Sequence, residues 1–168
     1  MKYTDKITQL STEVGRLLFE KKLKLTTIES CTGGWIGKVL TDVAGSSAWY
    51  ECGYVTYSDA SKIRLVGVSS ETIKRSGAVS EPVAQEMAQC SFASTGSDIA
   101  LAVTGIAGPS GGSPEKPVGT VWFAWASRTG GCKTETKVFS GDRKGIREQT
   151  VSMALSQLLL FLEKDLNR

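Results

Sequence analysis

The chain has 168 residues, sets 20 basic against 17 acidic side chains for a formal charge of +3, and contains no histidine. Hydrophobic residues at 40% and charged residues at 22% describe one folded domain with a full core, spanning 1–168, and argue against a disordered chain. The Lys and Arg residues are interspersed with acids rather than clustered, which removes nucleic acid from the expected partners.

Without histidine the commonest general base and metal ligand is missing, so acid-base work must fall to Lys, Tyr, Glu, Asp or Cys. Cys31, Cys52, Cys90 and Cys132 are far apart and form no CxxC pair, so no metal site and no disulfide framework is expected. Free thiols suit a reducing cytosol. The opening MKYTDKITQL lacks an apolar signal core, and the apolar cluster Leu158 to Leu162 is too short to cross a bilayer. A cytoplasmic protein without a membrane partner is expected.

Asp5 to Lys22 places Ile7, Leu10, Val14, Leu17 and Leu18 on one helical face. Thr26 to Lys38 then reads as strand, glycine turn and helix start: Thr26-Thr27-Ile28, Glu29-Ser30-Cys31-Thr32-Gly33-Gly34, then helical spacing from Trp35 to Val43, stopped by Gly45. A helix start leaves backbone N–H groups unpaired and partly positive, and glycine lets a ligand oxygen approach them. Ser30, just upstream, could attack an atom held there. The plainer alternative makes Ser30 or Thr32 a helix cap.

Trp49 to Tyr57 reads as a strand, Asp59 as the cap of a short helix ended by Gly67, and Ser70 to Gly77 as another short helix. Ser80-Glu81-Pro82 opens a longer helix that Gly96 stops. Asp98 to Thr104 is apolar enough for a central strand, and the Gly/Pro-rich stretch Gly105 to Gly119 forms a long loop at its carboxyl end, where open α/β sheets bind ligands. Thr120 to Ser127 and Cys132 to Phe139 form a hairpin, and a last helix starts at an Asp142 cap and runs to Leu162. The order predicts a three-layer α/β/α domain with a mixed sheet. Exposed strand aromatics and the apolar last helix favour a homo-oligomer.

Lys62 could serve as the base for Ser30 if burial lowered its pKa, with Tyr57 orienting the pair or relaying a proton; a solvated helix lysine is the plainer alternative. Arg143 and Arg147, four apart at the start of the last helix, could meet a phosphate, or could be ordinary surface arginines. Cys31 is read as an inert neighbour of Ser30. Trp122 and Trp125 are assigned to packing rather than to stacking on a base.

Several long motifs in order, ESCTGG at 29–34, VTYSDASK at 55–62, GAVSEPVA at 77–84, TGIAGPSGGSPEKPVGTVWFA at 104–124 and GDRKGIR at 141–147, resemble the CinA C-terminal domain family, and within it the stand-alone bacterial nicotinamide-nucleotide amidases (NMN deamidases of the PncC type). The resemblance covers essentially the whole chain; the separate N-terminal domain of CinA is missing. It implies hydrolysis of the carboxamide of nicotinamide mononucleotide to nicotinic acid mononucleotide and ammonia, in pyridine-nucleotide salvage and without a cofactor. It assigns Ser30 as nucleophile, Lys62 as base and Tyr57 as their companion. The amides of Thr32, Gly33 and Gly34 become oxyanion candidates, and Thr104, Gly105, Ala107, Gly108, Arg143 and Arg147 candidates for ribose and phosphate. A catalytically silent nucleotide-binding paralogue, linked to competence or DNA damage, and an amidase for another amide are the competing readings.

Overall fold

The computed structural model describes residues 3–165; the ends of the 1–168 domain, residues 1–2 and 166–168, lie outside the described residues. Six α-helices and five strands follow in the order α1 (Tyr3–Lys21), β1 (Leu25–Glu29), α2 (Trp35–Thr41), β2 (Tyr50–Val55), α3 (Asp59–Val66), α4 (Ser70–Ser76), α5 (Glu81–Ser91), β3 (Ile99–Gly105), β4 (Thr120–Ser127), β5 (Cys132–Val138) and α6 (Arg143–Leu160). The sheet order is β2-β1-β3-β4-β5. β1 pairs in parallel with β2 and β3, and the β4–β5 hairpin is antiparallel to them, so the sheet is mixed as expected.

Alternation along the strands builds two unlike faces. Ile99, Leu101, Val103, Val121, Phe123 and Trp125 face a core made by α1, α2 and α6. Ala100, Ala102, Ala124 and Ala126 face the other way, and these small side chains let α5 sit close through Val83, Ala84, Met87 and Ala88, with Val66 of α3 and Ile73 of α4 beside it. Trp125 is fully buried, stacks on Phe123 at 5.6 Å and donates its indole N–H to the Ala154 carbonyl at 3.0 Å. Its polar atom is thus satisfied within the core.

Three expectations shift. β2 ends at Val55, so Tyr57 sits in the β2–α3 connection rather than at a strand end. Ser58, not Asp59, caps α3, because its hydroxyl accepts from the Ser61 amide and Ser61 returns the bond in a reciprocal box. The apolar side of α6 (Val151, Ala154, Leu155, Leu158) is consumed by the core against α1 and the sheet, so it is not free for self-association. Among the described residues no helix is long and apolar enough to cross a membrane.

Candidate active site

β1 delivers Glu29 and Ser30 to the carboxyl edge of the parallel half of the sheet, and the Ser30 amide continues the ladder by donating to the Val103 carbonyl at 3.1 Å. Neither Ser30 nor Thr32 caps α2. The cap position is Gly34, left-handed at φ 94°, and no capping side chain bonds from it. The buried carboxylate of Glu29 does that work from upstream: Oε2 accepts from the Thr32 hydroxyl at 2.6 Å, the Gly34 amide at 3.1 Å and the Ile36 amide at 3.0 Å, while Oε1 accepts from the Gly37 amide at 2.8 Å. With the Gly33 amide bonded to the Ser30 carbonyl, two of the three proposed oxyanion donors are engaged, and the Thr32 amide remains the candidate.

Ser30 is therefore released from capping, and it meets Lys62. The Lys62 ammonium nitrogen lies 3.2 Å from Ser30 Oγ, 2.9 Å from the Thr56 carbonyl and 3.3 Å from the Tyr57 carbonyl. Lys62 is 1% exposed, and among the described residues it makes no salt bridge. Burial pulls its pKa below the usual lysine value, against an opposing pull from Asp59 and Cys31. In the neutral amine the two carbonyls can take both N–H groups, which leaves the lone pair for the Ser30 hydroxyl proton. The solvated-lysine alternative is excluded by this burial. Cys31 is inert by the same physics, since burial pushes its thiol up to about 12.

The two arginines act unlike one another. Arg143 donates to the Gly108 carbonyl at 2.7 Å and to the Tyr57 hydroxyl at 2.9 Å, tying the long loop to the tyrosine. Arg147 grips the nucleophile turn: Nε donates to the Cys31 carbonyl and Nη2 to the Thr32 carbonyl, each at 3.0 Å, and the guanidinium lies 5.4 Å from the centre of the Trp35 ring. Because a trans peptide sets N–H opposite C=O, holding the Cys31 carbonyl also orients the Thr32 amide. Sequence reading missed this clamp, in which Arg147 holds the turn that follows Ser30.

Both arginines line a cleft of about 480 Å³ with Ala107, Pro109, Val118 and Lys144. Its size suits a nucleotide-sized ligand. Tyr57 is 59% exposed, its hydroxyl tied to Arg143 at the cleft. Of the loop candidates, Ala107 lines the cleft and Gly108 receives Arg143. Thr104 is buried and gives its hydroxyl to the Ala78 carbonyl, and Gly105 is needed where a Cβ would fall 2.7 Å from Val121, so both are absorbed by the fold. Lys116 pins the same loop to the end of α4 through the Ser76 carbonyl at 2.8 Å.

The model of the CinA C-terminal domain matches residues 7–162. The chain is 52% identical over 152 residues to the nicotinamide-nucleotide amidohydrolase PncC of Escherichia coli (strain K12), covering 90% of this chain and 92% of that one. It is 49% identical over 155 residues to the protein of the same name from Pseudomonas putida, covering 92% and 96%. Among solved structures, the competence damage-inducible protein A from Klebsiella pneumoniae subsp. pneumoniae MGH 78578 superposes with a TM-score of 0.90 at 41% identity, over 94% of this chain and 98% of that one.

Proposed function

The chain belongs to the CinA C-terminal domain family, and from that membership we propose that it is a nicotinamide-nucleotide amidohydrolase converting nicotinamide mononucleotide to nicotinic acid mononucleotide and ammonia. The observation that carries the chemistry is the buried Lys62 amine 3.2 Å from Ser30 Oγ. Ser30 Oγ attacks the carboxamide carbon as its proton passes to Lys62. The tetrahedral oxyanion is met by the Thr32 amide, and loss of such a donor typically costs about 100-fold or more in rate. Collapse breaks the C–N bond, and Lys62 returns the proton to the leaving nitrogen, which departs as ammonia. Water then attacks the acyl-enzyme, its proton goes to Lys62 and on to Ser30 Oγ, and the carboxylate product is freed.

The phosphate is assigned to the cleft at the start of α6. The α2 amide cradle is already filled by Glu29, whereas Arg143, Arg147 and Lys144 bring cations to one cavity. Arg143→Ala is expected to raise KM for the mononucleotide by about tenfold, the worth of one hydrogen bond to a charged group, with a smaller effect on kcat. The same variant is expected to leave KM for nicotinamide riboside, which lacks the phosphate, nearly unchanged. Equal losses on both would move the phosphate elsewhere.

A cytoplasmic setting and self-association complete the proposal; with α6 used in the core, the free edge of β2, ending at the half-exposed Val55, is the surface offered to a second copy. The experiment that tests the function is product analysis after incubation with nicotinamide mononucleotide. Nicotinic acid mononucleotide and ammonia in equal amounts are expected. Tight nucleotide binding with neither product would favour the silent paralogue, and turnover of unrelated amides alone would favour a different amidase.

A further inference from the structure

Glu29 has no part in the proton transfers, yet it is 1% exposed at the junction of every element that builds the site. Its carboxylate collects four donors from one turn of chain, the Thr32 hydroxyl and the amides of Gly34, Ile36 and Gly37. All four are donors, which matches the acceptor-only pattern of an ionised carboxylate. Gly37 is part of this fit. A Cβ there would fall 2.6 Å from the Tyr50 hydroxyl, so glycine lets α2 lie close to that tyrosine while the Gly37 amide reaches Glu29 Oε1.

The backbone of the same residue reaches the other half of the pair. The Glu29 carbonyl accepts from the Thr56 amide at 2.8 Å, and the Thr56 carbonyl in turn holds Lys62 Nζ at 2.9 Å. One residue thus fixes the turn that follows the nucleophile and the strand end that holds the base. Reacting groups this close are sensitive to small displacements: a misplacement of about 1 Å can cost about 100-fold in rate.

We infer that Glu29 is a positioning residue for the Ser30–Lys62 pair, its side chain holding the turn from Thr32 to Gly37 and its carbonyl the β2–α3 connection whose Thr56 carbonyl receives Lys62. The inference rests on the amidase reading for its substrate and not for its test. A small fluorophosphonate measures Ser30 without any nucleotide: Oγ bonds to phosphorus, fluoride leaves, and the serine proton passes to Lys62.

Glu29→Gln keeps the size but turns a donor toward amide donors. It is expected to slow labelling of Ser30 by about 100-fold. With nicotinamide mononucleotide it is expected to lower kcat to a similar degree and to change KM by no more than about threefold, the split expected of a residue that acts on the reacting groups. Thr32→Val removes one of the four donors and is expected to slow labelling by about tenfold, the worth of one hydrogen bond to a charged group. Near-UV circular dichroism shows which variants are folded at the assay temperature. A folded Glu29→Gln that labels at the wild-type rate overturns the inference. Where Glu29→Gln does not fold, wild-type labelling of Thr32→Val overturns it. Wild-type protein that labels at Ser30 but releases no ammonia counts against the amidase reading instead, and leaves the labelling comparison to decide the role of Glu29.

Discussion

Lys62→Met is expected to abolish turnover, by about 10,000-fold or more, in a protein that melts no lower than the wild type. The first half follows from the pairing: with the amine gone, Ser30 Oγ loses the base it is bonded to, and residues that act as a unit lose nearly everything singly. The double variant with Ser30→Ala should therefore lose hardly more than either single one. The second half follows from burial. The lysine stem is packed at 1% exposure, and among the described residues no carboxylate forms a salt bridge with the amine. Methionine keeps most of the stem volume and removes a polar group that burial penalises. A site residue that costs stability is common where function requires it. Steady-state ammonia release and thermal melting measure the two halves. Activity within tenfold of the wild type would remove Lys62 from the mechanism, and a large drop in melting temperature would mean that the amine contributes net stabilisation.

The rate is expected to rise with pH along an acid limb, by about tenfold per pH unit below the folded-state pKa of Lys62, because only the neutral amine can accept the serine proton. Burial lowers that pKa, so the limb lies below the ordinary lysine value of 10.5. Asp59 pulls the other way, favouring the ammonium, so Asp59→Asn should move the limb to lower pH. Stability changes with the same sign. The folded pKa is below the unfolded one, so the unfolded chain binds more protons between the two values. Stability therefore increases with pH through that window and is reduced below it. Lys62→Met should flatten this slope. Profiles of kcat/KM for the wild type and Asp59→Asn, with melting curves across the same pH range, provide the test. A limb that stays in place or moves upward in Asp59→Asn would contradict the assignment.

The sequence made the fold legible where the period was clean. The short β-branched β1, the continuous apolar run at β3 and the hairpin between Ser127 and Cys132 all stand where expected, since their patterns and turn residues point one way. Two site residues, Ser30 and Lys62, were marked by motif, but their meeting across 32 positions depends on β1 and β2 ending side by side, which only the parallel register provides. Glu29 was passed over because caps are sought at the helix border, and this one acts from the end of a buried strand. A charged residue closing a short β-branched strand was the signal available. Arg147 stands in the sequence as a phosphate candidate or a surface arginine, because spacing shows which helix face it occupies and not that the Cys31 and Thr32 carbonyls lie within its reach.

Ser30 Oγ is the proposed attacking atom on which every later step depends. Ammonia release from nicotinamide mononucleotide, measured after chelation for the wild type and Ser30→Ala side by side, tests this most directly. Steady release by the wild type and loss of about 10,000-fold or more in the variant is the predicted result. Release by both proteins at similar rates would place the chemistry on another group and contradict the account.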